Sequence, residues 1–292
     1  MIQVINDTIQ EAVTVVEKAI IKEKKAKNYK LEEPDYTAAL AIEFPRLLNE
    51  TRAFPNVRFG GCFIHQSPMV TFTSPHFAHR CELGDLLVLL RKRTMDDTRY
   101  NAALVQLKKL DRSPIVLGDN GDLKQLHLYE KWPEFTMSTT HEKYDVFPKT
   151  VTQGALYCII KRNPELMLYM AEPMSTLEYS SEMTFGRFIR DAIHWQTGRT
   201  ISDEANKDSN KWSKLIWDLI RRSGEKEFRR RNICYHRLRC SDNFLDFMVS
   251  KSFDGGIPVN EDMNVGDNEE TGISILFIDI DDRENRGEQR RR

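Results

Sequence analysis

Three polar residues at the ends of two apolar runs are the part of this chain best equipped for chemistry. Asp85 stands immediately before the run LLVLL at residues 86–90, and Gln106 and Lys108 stand at the end of a second run, AALVQL, at residues 102–107. Runs of that length and composition read as buried strands, and the charged stretch between them, residues 91–101, reads as a loop. An acid at the head of one strand and a Gln-x-Lys at the end of its neighbour bring a carboxylate, an amide and an ammonium to one sheet edge. Metal-assisted phosphodiester hydrolysis asks for such a set: a carboxylate for a divalent cation, a second oxygen ligand, and an ammonium near the attacking water.

The pattern resembles the PD-(D/E)XK nuclease superfamily, in the variant whose last motif is Gln-x-Lys, as in Mrr-like restriction enzymes. Asp85 matches the first acid, with Gly84 where the motif has proline, Gln106 matches the second acidic position, and Lys108 is the lysine. These enzymes often carry a further glutamate on an upstream helix, for which Glu43 is the best-placed candidate and Glu50 its rival. The resemblance spans residues 36–137 and implies an α/β, restriction-endonuclease-like mixed sheet flanked by helices, in α-β-β-β-α-β order. It also implies that Asp85, Gln106 and the Leu107 carbonyl bind Mg²⁺ or Mn²⁺, while Lys108 orients the water and offsets charge on the phosphate. Glu43 would ligate or orient through a water. A neutral amide at Gln106 is a poorer ligand than a carboxylate, and Glu82 lies on the opposite strand face unless Gly84 bulges the chain. The activity implied is nucleic-acid cleavage, DNA favoured over RNA, in bacterial defence against foreign DNA. Two other classes stay open: a non-catalytic nucleic-acid-binding module, and a zinc-stabilised partner-binding protein.

The elements that must hold these residues can be read in order. Ile5, Ile9, Val13, Val16 and Ile20 recur at helical spacing, so residues 5–27 form an amphipathic helix that packs on its own domain or supplies a homodimer contact. Pro34 and Asp35 open a second helix with Leu40, Phe44, Leu47 and Leu48 on its buried side, which Pro45 kinks or ends just after Glu43. Residues 54–80 are loop-rich with short β-type runs. Residues 114–117 read as a strand and 118–122 as a turn. Residues 124–132 read as a helix, whose Gln125 is a surface residue or a substrate contact, and residues 135–137 as the next strand. Residues 151–160 and 166–170 form a hairpin around Asn163 and Pro164, residues 185–195 and 212–222 form helices, and 199–210 is a loop. Residues 272–280 are a buried strand, and the charged tail 281–292 is disordered. The organisation expected is an N-terminal helix at 1–30, a core at 31–150, a C-terminal α+β extension at 151–280 that can be continuous with the core, and the tail.

Other clusters compete for function. Cys62, His65, His76, His79 and Cys81 have short zinc-type spacings that match no familiar finger, and buried thiols are the plain alternative. Cys234, His236 and Cys240 make a weaker pattern of the same kind. Arg221, Arg222, Lys226, Arg229, Arg230 and Arg231 form the densest basic cluster, with Phe228, Tyr235 and His236 interleaved. It would contact phosphates or stack a base, or simply end a helix in solvent.

The totals bound these readings. A chain of 292 residues with 40% apolar and 30% charged residues has the composition of a globular protein, and a net charge of −1 confines nucleic-acid binding to local patches. Five cysteines at irregular spacing do not make a disulfide framework, so the expected compartment is a reducing cytoplasm. No run suits a membrane span, and no secretory leader is evident. There is no phosphate-cradling P-loop and no nucleophile elbow, so translocation would fall to a separate motor or sensor partner.

Overall fold

The computed structural model describes residues 1–24, 29–65, 67–74, 77–109, 115–117, 120–149, 154–162, 165–174, 176–177, 182–230, 241–251 and 272–283. Helix α1 spans Ile2–Lys24, and α2, Glu33–Ala38, runs through a π-helical turn, Ala39–Glu43, into α3, Phe44–Thr51. Strands β1 (Val57–Cys62), β2 (Met69–Ser74), β3 (Phe77–Glu82), β4 (Leu86–Arg93), β5 (Thr98–Lys109) and β6 (Ile115–Val116) precede α4 (Asn120–Lys131). The strands β7 (Phe135–Met137), β8 (Lys143–Tyr144), β9 (Ala155–Lys161), β10 (Met167–Ala171) and β11 (Thr176–Leu177) then lead to α5 (Phe185–Ile193). The chain closes with β12 (Arg199–Ile201), α6 (Lys211–Arg230), α7 (Ser241–Lys251) and β13 (Ser274–Asp281).

A seven-stranded mixed sheet runs β1-β13-β4-β5-β9-β10, with β12 paired to the first part of β5. β13 lies parallel to β4, β4 antiparallel to β5, and β5 parallel to β9. Strand parity divides the core. Leu86, Val88, Leu90, Ala103, Val105 and Leu107 face one cluster together with the apolar side of α1, the α2–α3 segment and α5. Leu87, Leu89, Ala102, Leu104 and Phe277 face the other, under α4, α6, α7 and the small sheet β3-β2-β7-β8. The protein is a mixed α/β sheet with helices on both faces.

The long helix does not stop at Pro45. Proline has no N–H to return to the carbonyl of Ala41, and the chain absorbs the missing bond as a π turn, with Phe44 N–H bonding to Ala39. The Ala41 carbonyl lies against β1, where a Cβ on Gly61 would sit 2.0 Å from it. Glycine is required there by close approach of two backbones.

Several expectations need correction. Residues 91–101 are not a loop: β4 runs to Arg93 and β5 begins at Thr98. Arg91 is buried because Asp279, directly opposite on β13, accepts from its Nε at 2.9 Å. Residues 199–210 hold β12 and a 3₁₀ turn, Glu204–Ser209. Residues 135–137 are a strand, but one that pairs with β2 in the small sheet; the strand beside β5 after α4 is β9. The first helix packs its apolar face on its own domain through Ile5, Ile9, Ala12, Val13 and Val16. Residues 284–292 and the turn at 163–164 lie outside the described residues.

Candidate active site

Asp85, Gln106 and Lys108 do converge. Extending the β4–β5 register one step past the Leu86↔Val105 pair sets Asp85 opposite Gln106, and residues 106 and 108 share a strand face. The Asp85 carboxylate is held from three sides. Gln106 Nε2 donates to Oδ2 at 2.5 Å, the Leu107 main-chain N–H donates to the same oxygen at 2.8 Å, and the Ser67 hydroxyl donates to Oδ1 at 3.1 Å. The Leu107 carbonyl lies 3.4 Å from Gln106 Nε2, on the carboxylate's side of the strand.

The amide of Gln106 therefore faces Asp85 as a donor. Its oxygen accepts instead from Gln125 Nε2 on α4, which also donates to the Glu82 main-chain carbonyl at 3.2 Å. Farther along α4, the Tyr129 hydroxyl donates to the Leu83 carbonyl at 2.7 Å, and Asp122 Oδ1 accepts from Lys108 Nζ at 2.7 Å. One helix thus fixes the β3–β4 connection, the glutamine and the lysine together.

The site is acidic. Burial, then the negative charge of Glu82, and more weakly that of Glu33, push the Asp85 carboxyl up to about 7, against the lowering effect of the Leu107 and Ser67 donors. Burial also raises Glu33, whose Oε1 accepts the Lys109 N–H at 2.8 Å at the end of β5. Burial would lower the Lys108 ammonium, but the hydrogen bond and charge of Asp122, with Glu33 and Asp85 beyond, raise it above its ordinary value. Three carboxylates, Asp122, Glu33 and Asp85, thus act on one lysine.

Glu43 and Glu50 are engaged by an arginine on their own helix. Glu43 is buried, and Arg46 donates to its Oε2 from Nε at 3.0 Å and Nη2 at 2.8 Å; Glu50 pairs with the same arginine at 2.6 Å. Glu33, ten residues earlier at the start of α2, is a helix acid that couples to Asp85, more weakly than Glu82 does. Glu82 also reaches Asp85 electrostatically, because β3 belongs to the second sheet and the chain crosses between sheets at residues 83–85. A helix N-terminus carrying Glu32, Glu33 and Asp35 was the available signal for Glu33.

The other candidates separate. Arg221 is exposed and pairs with Glu225 at 3.3 Å and Asp218 at 3.8 Å, whereas Arg222 is buried at 7% exposure, which takes it out of reach of a phosphate in this arrangement. Arg229 and Arg230 are on the last turn of α6 with side chains outside the described residues, as are Arg231, Cys234, His236 and Cys240 in full. Cys62 and Cys81 are buried in different sheets, and burial followed by Glu82 pushes the Cys81 thiol up to about 12. His65 is exposed, while His76 and the His79 side chain lie outside the described residues. Among the described residues no group of three or more His, Cys, Asp or Glu side chains is arranged to hold a metal ion. A cavity at the far ends of β4 and β13, lined by Arg58, Arg93, Asp246, Asp279 and Asp281, is internally ion-paired and remote from Asp85. No helix among the described residues is long and apolar enough to cross a membrane.

No protein-family model, curated protein or solved structure matches this chain.

Proposed function

We propose that the Asp85 cluster hydrolyses phosphodiester bonds in nucleic acid, DNA favoured over RNA, with Mg²⁺ or Mn²⁺ as cofactor and foreign DNA as the natural target. The observation that carries this reading is the meeting of Asp85, Gln106 and Lys108 on one face at adjoining strand ends, with Glu33 and Glu82 close enough to oppose the ionisation of Asp85. A carboxylate raised in this way, among other acids and beside a main-chain carbonyl, is a place where a divalent cation relieves repulsion. Magnesium commonly engages one or two protein carboxylates and keeps several waters, so the site does not need three converged acids. Asp85 and the Leu107 carbonyl would hold the ion, with Glu33 or Glu82 in reach through water. When bound, the ion would polarise the scissile phosphate and lower the pKa of a bound water.

The chain's own groups do the rest. Gln106 and the Leu107 N–H orient the Asp85 carboxylate. Lys108, kept charged by Asp122, offsets the negative charge that develops on the phosphate and orients the attacking water. Asp122 thereby positions the lysine.

The test is a cleavage assay on DNA and RNA with and without Mg²⁺ or Mn²⁺, run beside Asp85→Ala and Lys108→Ala. Cation-dependent cleavage should fall by on the order of 10³-fold in either variant. Wild-type rates in both variants would remove the proposal.

A further inference from the structure

We propose that Gln125 is a positioning residue that sets the polarity of the Gln106 amide, so that Gln106 serves Asp85 as a hydrogen-bond donor and is withheld from the cation. The amide geometry is independent of the hydrolytic reading; only its consequence for cation affinity rests on that reading.

The chain of contacts begins at a group whose polarity cannot change. The Glu82 main-chain carbonyl only accepts, so the Gln125 amide atom 3.2 Å away is the nitrogen. The same nitrogen lies in hydrogen-bond contact with Gln106, and the Gln106 atom that meets it must be the oxygen. The Gln106 nitrogen is then turned to Asp85 Oδ2 at 2.5 Å, where an ionised carboxylate also only accepts. Donor and acceptor alternate from a fixed carbonyl to the carboxylate, and each contact selects the same orientation. Gln106 is 1% exposed and Gln125 4%, so water cannot take over a broken link. To offer its oxygen to a cation at Asp85, Gln106 has to turn over, setting its nitrogen against that of Gln125.

Reversing the polarity at position 125 reverses it along the chain. A carboxylate in Gln125→Glu only accepts, which draws the Gln106 nitrogen towards α4 and presents the Gln106 oxygen to Asp85. The side chain at 125 therefore determines whether residue 106 adds an oxygen ligand or holds the existing one.

The experiment uses the full chain, first without metal. Side-chain amide protons of Gln106 are followed by ¹⁵N NMR in wild type, Gln125→Glu and Gln125→Met, with folding checked by circular dichroism. Mn²⁺ alone is then titrated by electron paramagnetic resonance. In Gln125→Met the Gln106 amide protons should exchange faster by on the order of tenfold, since one anchor is gone. In Gln125→Glu, Mn²⁺ should bind on the order of tenfold tighter, and the gain should vanish in the Gln125→Glu/Gln106→Met double variant, as coupling through Gln106 requires. Unchanged amide exchange in Gln125→Met overturns the proposal, as does a gain in affinity that survives in the double variant, which would mark a bulk charge effect. Wild-type protein that binds no Mn²⁺ would instead count against the hydrolytic proposal, and the amide-exchange arm would still decide this one.

Discussion

A carboxyl held up to about 7 in the fold, against 3.8 unperturbed, makes the protein sensitive to pH in an uncommon direction. The folded chain binds the Asp85 proton more tightly than the unfolded chain does. The stability this contributes is therefore complete below about pH 4 and is lost as pH rises to about 7. Asp85→Asn fixes the uncharged form, and its amide nitrogen can meet Ser67 while its oxygen keeps the two donors on Oδ2. Without divalent cations, the variant should gain stability relative to wild type between pH 4 and 8, by up to about 4 kcal/mol, as read from urea unfolding at each pH. A flat difference across that range would show that burial and the neighbouring acids do not raise the Asp85 carboxyl. At this scale the sequence was legible where strand parity governs: Asp85, Gln106 and Lys108 follow from period two and the ends of two apolar runs. Glu33 was not. Helical periodicity tells which face of a helix is buried, and it placed Glu43 at the border of the apolar face. It does not tell which end of the helix meets the strand ends, nor that Arg46, three residues on, would occupy Glu43.

Elements impose their own demands on residues far from the chemistry. The π turn forced by Pro45 brings the Ala41 carbonyl so close to β1 that Gly61→Ala must displace one of two backbones, since the Ile275 carbonyl is also 2.6 Å from the added carbon. The variant should lose about 1–3 kcal/mol of stability in urea unfolding, and more if β1 cannot shift. A second test concerns the strand extension that charge concealed. Arg91 looked like loop because its sequence neighbours are charged, but pairing with Asp279 lets it occupy a sheet position at 4% exposure. Removing it in Arg91→Ala leaves the Asp279 carboxylate buried, with Arg93 Nη2 at 2.6 Å as its remaining ion pair among the described residues. The expected loss is about 3 kcal/mol, with double variant Arg91→Ala/Asp279→Ala less destabilised than the sum of the single ones. Strict additivity would mean that the pair does not hold β4 to β13. The partner lies 188 residues away in the chain, which is why local composition could not reveal it.

At the scale of the molecule, the last described strand occupies an interior place in the sheet, one strand in from the β1 edge. β13 sits between β1 and β4, parallel to the strand that begins just after Asp85, and its registry with β4 covers residues 86–93. Its start is tied down by polar side chains: the Ser223 hydroxyl donates to the Ile273 carbonyl at 2.7 Å and accepts its N–H at 2.9 Å, and Ser274 bonds with Ile64. The sequence marked residues 272–280 as a buried strand, but a run of apolar residues carries no information about which strands flank it. The division at residue 150 is consequently crossed by one sheet, with β9, β10, β12 and β13 built onto β4 and β5. Insertion of an interior strand from so late in the chain requires closing very long loops before β1 and β4 can be joined, so folding should be slow for the protein's size. It also makes the site hostage to a segment that contributes no side chain to it. A chain ending after Gly272 should lose β1 from the sheet and leave one edge of β4 unpaired, abolishing cooperative unfolding and Mn²⁺ binding at Asp85 together. A chain ending after Arg283 should retain both. Calorimetry and Mn²⁺ titration on the two truncations distinguish a site carried by the whole sheet from one carried by residues 31–150 alone, for in the latter case the shorter chain would still bind.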